Sequence, residues 1–229
     1  MPVHVKFEDI GLKEYKEAWD YQEKIREQVQ QKRENGAPDN YAGTLIFCEH
    51  PHVYTLGKSG QQNNLLINDD FLKNINATYY RSNRGGDITY HGPGQIVGYP
   101  IFDLEMLKLG VKEYIHRLEE SVIITLNDYG IKAGRLEGAT GVWLDENLAS
   151  TRKICAIGVR VSRAVTMHGF AFNVNTNLTY FSWINPCGLP DKGVTSLSKE
   201  LNKHLDFEKV KEDLKKNIAK VFDLEIRNS

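Results

Sequence analysis

The chain has 229 residues, 41% of them hydrophobic and 26% charged, with a formal net charge of −1. This is the balance of an ordinary soluble globular protein, and it supplies no global field to draw in nucleic acid or a membrane surface. The stretch MPVHVKFEDIGLKEY lacks both the apolar segment of a secretion signal and the Arg/Ser bias of a transit peptide. No run nears the ~18 apolar residues of a membrane span. Cys48, Cys155 and Cys187 are widely spaced, with no CxxC, so a reduced, cytoplasmic compartment is expected.

Residues 3–7 read as a short strand. Leu12, Tyr15, Trp19, Gln22, Ile25 and Val29 then fall near helical period, predicting an amphipathic helix that ends near Asn35-Gly36. GTLIFCEH and HVYTLG read as strands separated by a turn at Pro51. NATYYRSN is a further strand, leading into a glycine-rich loop over 84–95, and QIVGYPIFDL resumes extended structure. A second helix is predicted over 111–129, with Gly130 as its C-cap. IKAGR, TGVWLD, KICAIGVRV and VTMHGFAFNVN follow as strands, the last two joined by a turn at Arg163-Ala164. Residues 176–197 read as irregular. A last helix is predicted over 206–222, where KVKEDLKKNIAK is a solvated face rather than a basic patch. Many strands between few helices predict an α+β fold. With no repeat, low-complexity tract or linker, 1–229 reads as one domain.

The densest irregular stretch, RGGDITYHGPGQ, gathers Arg84, Asp87, Tyr90 and His91 among glycines that let backbone approach a ligand. It lacks the Gly-Lys-Ser/Thr of a P-loop and the third glycine of a dinucleotide fingerprint. Two hairpin turns, at Gly85-Gly86 and Gly92-Pro93-Gly94, explain it almost as well. Cys48, His50 and His52 in CEHPH are soft ligands, but Pro51 breaks the strand and no second cluster follows, so no metal site is expected. Cys48 and Cys155 read as inert core. Cys187 in INPCGLPDKG is different, because the surrounding Pro and Gly exclude helix and strand and favour a displayed thiol. Such a thiol, with an ordinary pKa of about 8.5, needs a base. His91, His168 or Lys153 would serve, and local sequence does not choose among them. Taken alone, Lys153 reads as a strand-end lysine reaching solvent.

Taken together, RGGDITYHGPGQIVGYPIFDL, RKICAIGVRV, HGFAFNVN and INPCGL, in that order, closely resemble lipoyl(octanoyl) transferases, the octanoyl-acyl carrier protein:protein N-octanoyltransferases. EHPHVYTLGKSG and GVTSLSKEL extend the likeness, which runs from about residue 43 to 202. The resemblance implies the fold of biotin and lipoate protein ligases, with a mixed, largely antiparallel sheet and packed helices. It implies a Cys/Lys dyad in which Cys187 accepts the acyl group and Lys153 deprotonates it. It implies a substrate-binding loop of Arg84, Gly85, Gly86, Asp87, Ile88, Thr89, Tyr90 and His91. Ala156, Ile157, Gly158, Gly169, Phe170 and Ala171 would line an acyl pocket, with Gly158 and Gly169 leaving room for a slender eight-carbon chain. Cys155 stands where alanine is commoner in that family.

The implied donor is octanoyl-acyl carrier protein, whose phosphopantetheine arm carries the thioester. The implied acceptors are lipoyl domains and the glycine cleavage H protein. No ATP, metal, nucleic acid or membrane is implied, and a monomer is expected. The rival readings are an ATP-dependent lipoate ligase, a lipoyl amidotransferase on the same fold, and a non-catalytic module that binds acyl groups or lipoyl domains.

Overall fold

The chain opens with strand β1 (His4–Leu12) and continues into helix α1 (Tyr15–Glu34). The computed structural model describes residues 2–36, 40–146, 148–185 and 192–228. Helix α1 buries Tyr15, Ala18, Gln22, Ile25, Val29 and Gln30, a spacing that makes one stripe. Leu12 is not part of that stripe as predicted; it ends β1 and is 62% exposed. Gly11, at φ +62°, donates its N–H to Asp9 Oδ1 and interrupts the helical period before Tyr15.

Strands β2 (Tyr41–Glu49) and β3 (Val53–Leu56), the short helix α2 (Asp69–Asn74), and strands β4 (Thr78–Arg81), β5 (Ile88–His91) and β6 (Gln95–Phe102) follow. Helix α3 (Val111–Asp128) leads to β7 (Gly134–Leu136), β8 (Ala139–Leu144), β9 (Arg152–Ser162) and β10 (Val165–Asn173). The chain closes with β11 (Gly193–Val194), α4 (Leu197–Leu201), α5 (Phe207–Phe222) and β12 (Glu225–Asn228). The β9–β10 turn uses Arg163 and Ala164 at φ 49° and 60°, as predicted. The predicted loop over 84–95 is corrected: Ile88–His91 is a strand pairing antiparallel with β3, as its β-branched and aromatic residues favour.

The main sheet runs β12-β1-β2-β6-β10-β9-β8-β7, with β11 added beside β9. β1 is parallel to β12 and β2, and β11 to β9; the other neighbours are antiparallel. This is the mixed, largely antiparallel sheet that was expected. Helices α3 and α5 cover one face, setting Leu118, Val122, Leu214 and Ile218 against Phe47, Ile96 and Phe172. Helix α1 covers the other, with Ala18, Ile25 and Val29 against Ile46, Val97 and Met167. A smaller sheet, β4-β3-β5, packs Tyr54, Leu56 and Tyr90 against Ile184. Among the described residues no helix is long and apolar enough to cross a membrane.

Candidate active site

Strands β9 and β10 place small residues opposite one another, Ala156 beside Ala171 and Gly158 beside Gly169. The loop from Arg84 folds onto them: Gly85 N donates to Val159 O at 2.9 Å, and Lys58 N to Arg84 O at 2.9 Å. Loop and strands together line a cavity of about 590 Å³. Of the expected binding residues, Arg84, Gly85, Gly86, Asp87, Ile88, Thr89, His91, Ala156, Ile157, Gly158, Gly169, Phe170 and Ala171 all border it, as does Lys153. Tyr90 does not. Its ring turns away to stack on Tyr180 at 4.9 Å, and its hydroxyl bonds His52 Nδ1 at 2.7 Å.

The expected role of the two glycines is corrected. A Cβ on Gly158 would lie 2.8 Å from Gly85 O, and one on Gly169 would lie 2.1 Å from Gly98 O. Neighbouring backbone therefore takes the space a side chain would occupy at both positions, rather than leaving it open. Gly158 lets the loop close onto β9; Gly169 lets β10 lie against β6.

A buried polar chain holds the loop in place. The Arg84 guanidinium donates to Thr55 O at 2.6 Å, Asp87 O at 2.7 Å, Gly85 O at 2.9 Å and Thr55 Oγ1 at 3.0 Å. Arg84 thus shapes the loop from the cavity wall. Thr55 Oγ1 in turn donates to His91 Nε2 at 3.4 Å. Gln95 Nε2 donates to Asn173 Oδ1 at 2.9 Å, so its Oε1 is the acceptor for His91 Nδ1–H, also at 2.9 Å. Asn173 Nδ2 donates to Thr195 O at 3.0 Å, and Thr195 N to Lys153 O at 2.9 Å. The chain of bonds thus runs from the glycine-rich loop to the strand that carries Lys153. Asp87 caps the loop, accepting from Ile88 N at 2.7 Å and Asn64 Nδ2 at 2.6 Å.

Sequence reasoning missed Thr55, Gln95, Asn173 and Thr195. A signal existed for two of them: Gln95 and Asn173 are amides in strands buried along their whole length. His168 also carries one. It sits inside β10 at φ +57°, its N–H donates to Gln22 Oε1 at 2.9 Å, and its ring lies 5.8 Å from Trp19. Gln22, a polar residue in the apolar stripe of α1, thereby satisfies a backbone group that β6 does not reach.

Of the three bases left open by local sequence, both histidines are buried. His91 has both ring nitrogens engaged as above. His168 Nε2 lies 2.6 Å from Asn83 Oδ1, and burial lowers its pKa to about 3. Lys153 is half-buried, and its Nζ lies 4.5 Å from the centroid of the Trp143 ring. Lys192, Gly193 and Val194 border the same cavity, and Val194 pairs with Lys153. Cys187 itself lies outside the described residues. Cys48 and Cys155 are buried, and burial raises both thiols' pKa, which makes them inert core. Among the described residues no cluster of His, Cys, Asp or Glu has the make-up to hold a metal ion.

The buried histidines make stability depend on pH. Burial lowers His50 to about 4 and holds His91 well below its ordinary 6.5. The unfolded chain therefore binds protons that the folded one refuses. Stability is full above pH ~6.5 and falls as pH drops below it, by up to roughly tenfold in the folding equilibrium per pH unit for each histidine. Urea midpoints are expected to fall between pH 7 and pH 5, above the range where carboxylates titrate. A flat midpoint would mean that these rings are not held neutral.

The family described as lipoyl protein ligase A/B catalytic domain matches residues 14–219. The octanoyltransferase of Cytophaga hutchinsonii is 51% identical over 235 residues, covering 98% of this chain and 95% of its own. The chain belongs to the octanoyltransferase family. Within that family, the protein of Bacteroides fragilis is 57% identical, over 90% of this chain and 92% of its own. The protein of Christiangramia forsetii is 53% identical, over 99% of both. The octanoyltransferase fold is that of lipoate-protein ligase A, whose ATP-bound crystal structure superposes with a TM-score of 0.76 at 16% identity, over 100% of this chain and 89% of that one. The biotin protein ligase of Aquifex aeolicus shares it at 13% identity and a TM-score of 0.52, over 96% of this chain and 70% of that one.

Proposed function

We propose that this acyltransferase moves an octanoyl group from octanoyl-acyl carrier protein to a specific lysine of a lipoyl domain, through a thioester on Cys187. The acceptors in this reading are the lipoyl domains of 2-oxoacid dehydrogenase E2 subunits and the glycine cleavage H protein, and the reaction takes place in the cytoplasm. The observation that carries it is the position of Lys153. Its side chain borders the cavity that the glycine-rich loop shares with the small-residue hairpin.

Neutral Lys153 takes the Cys187 proton, and the thiolate adds to the donor's thioester carbonyl. The bond to the pantetheine sulfur breaks, and that thiolate leaves with the proton held by Lys153. The acceptor amine then attacks the octanoyl-cysteine. An amide forms, the bond to Cys187 breaks, and Lys153 passes the amine's proton to the departing thiolate. Thioester is exchanged for thioester in the first half and converted to an amide in the second, so neither half requires ATP. Arg84 and its bonded chain keep the loop closed at the cavity that Lys153 borders.

Incubation with octanoyl-acyl carrier protein, without ATP, is expected to add one octanoyl group by intact mass, and Cys187→Ala to abolish it. Modification of a lipoyl domain only when ATP and free octanoate are supplied would overturn the transferase reading in favour of a ligase.

A further inference from the structure

We infer that Trp143 is a positioning residue for this acyl transfer, acting by holding the Lys153 ammonium against its ring. The inference rests on the Cys187–Lys153 reading above. Trp143 lies on β8, paired directly with Lys153 on β9. The indole is 2% exposed, and its Nε1–H donates to Ala139 O at 2.9 Å, which fixes the ring's orientation. Lys153 Nζ lies 4.5 Å from the ring centroid. Gly141 completes the bed for the lysine: a Cβ there would lie 3.5 Å from Lys153 Cε and 2.5 Å from Cys155 O. Trp143 and Lys153 both border the cavity.

The chemistry makes this contact selective. When the proton moves from the Cys187 sulfur to Lys153 Nζ, a neutral pair becomes a thiolate and an ammonium. The electron-rich face of an indole attracts the ammonium far more than the neutral amine. Trp143 therefore stabilises the ion-pair state in which the thiolate exists. The same contact recurs whenever Lys153 holds a proton in the second half of the reaction. Packing alone would favour neither state. For a half-buried lysine the effect is expected to be about threefold to thirtyfold in thiolate population, or roughly half a unit to one and a half units in the apparent thiol pKa.

The test places a series of increasingly fluorinated tryptophans at position 143. These keep the shape and the Nε1–H of the ring while draining its electron density. The rate of Cys187 alkylation by iodoacetamide is measured against pH, with the site read by mass, alongside single-turnover octanoylation. The alkylation midpoint is expected to rise and octanoylation to slow with each added fluorine, at unchanged melting temperature. Trp143→Phe should fall within the series and Trp143→Leu beyond it. Profiles that coincide across the fluorinated series, even with Trp143→Leu impaired, would leave the indole a packing residue only and overturn the inference. A wild-type profile that Lys153→Met leaves unmoved would instead overturn the dyad reading beneath it.

Discussion

Lys153→Met is expected to slow octanoyl transfer by about two to four orders of magnitude, the usual contribution of a positioned base. Methionine keeps an unbranched stem for the bed between Gly141 and Trp143 but carries no proton. The alkylation midpoint of Cys187 should rise to that of an ordinary thiol, about 8.5. The fold should persist, because Lys153 lies at the cavity wall and its backbone bond to Thr195 is untouched. Single-turnover octanoylation and the pH profile of alkylation together check this. If both match wild type, the proton goes elsewhere, and the buried histidines are poor alternatives since burial holds each of them neutral.

Arg84→Met should be the more damaging change to stability. The substitution removes the guanidinium donor from the carbonyls of Thr55, Gly85 and Asp87, of which Asp87 O keeps the Gly57 N–H at 3.3 Å, and each buried acceptor left unpaired costs about 1–3 kcal/mol. The loop would then loosen from Gly158, and transfer should fall along with stability. Arg84→Lys should not restore either, because a single ammonium cannot reproduce a planar fork reaching three carbonyls. Urea unfolding checks the first part. A lysine variant with wild-type midpoint and activity would show that the charge matters and the fork does not.

Much of the fold was legible along the chain. The stripe of α1, the hairpin at Arg163-Ala164 and the long apolar strands follow from local periodicity and turn chemistry, which neighbours reinforce but do not create. The errors fall where a local pattern has two solutions. Gly-rich spacing around Ile88–His91 suits a loop or a short strand, and only pairing with β3 selects the strand. Gly158 and Gly169 read as room for a ligand, but a missing side chain equally marks a close approach of backbone. Which one applies depends on Gly85 and Gly98, about 70 residues away in sequence.

By itself the sequence determined the family, the fold class and most of the binding residues it named at the cavity. Several long motifs in fixed order leave little room for another reading. The tertiary structure decided what those residues do. It showed Arg84 clasping the loop at the cavity wall, and Tyr90 turned away from the cavity. It also joined Arg84 to Lys153 through Thr55, His91, Gln95, Asn173 and Thr195. The reason is physical. A buried polar group is defined by the partner that satisfies it, and here those partners come from strands far apart in the chain, which only the folded sheet brings within hydrogen-bond distance.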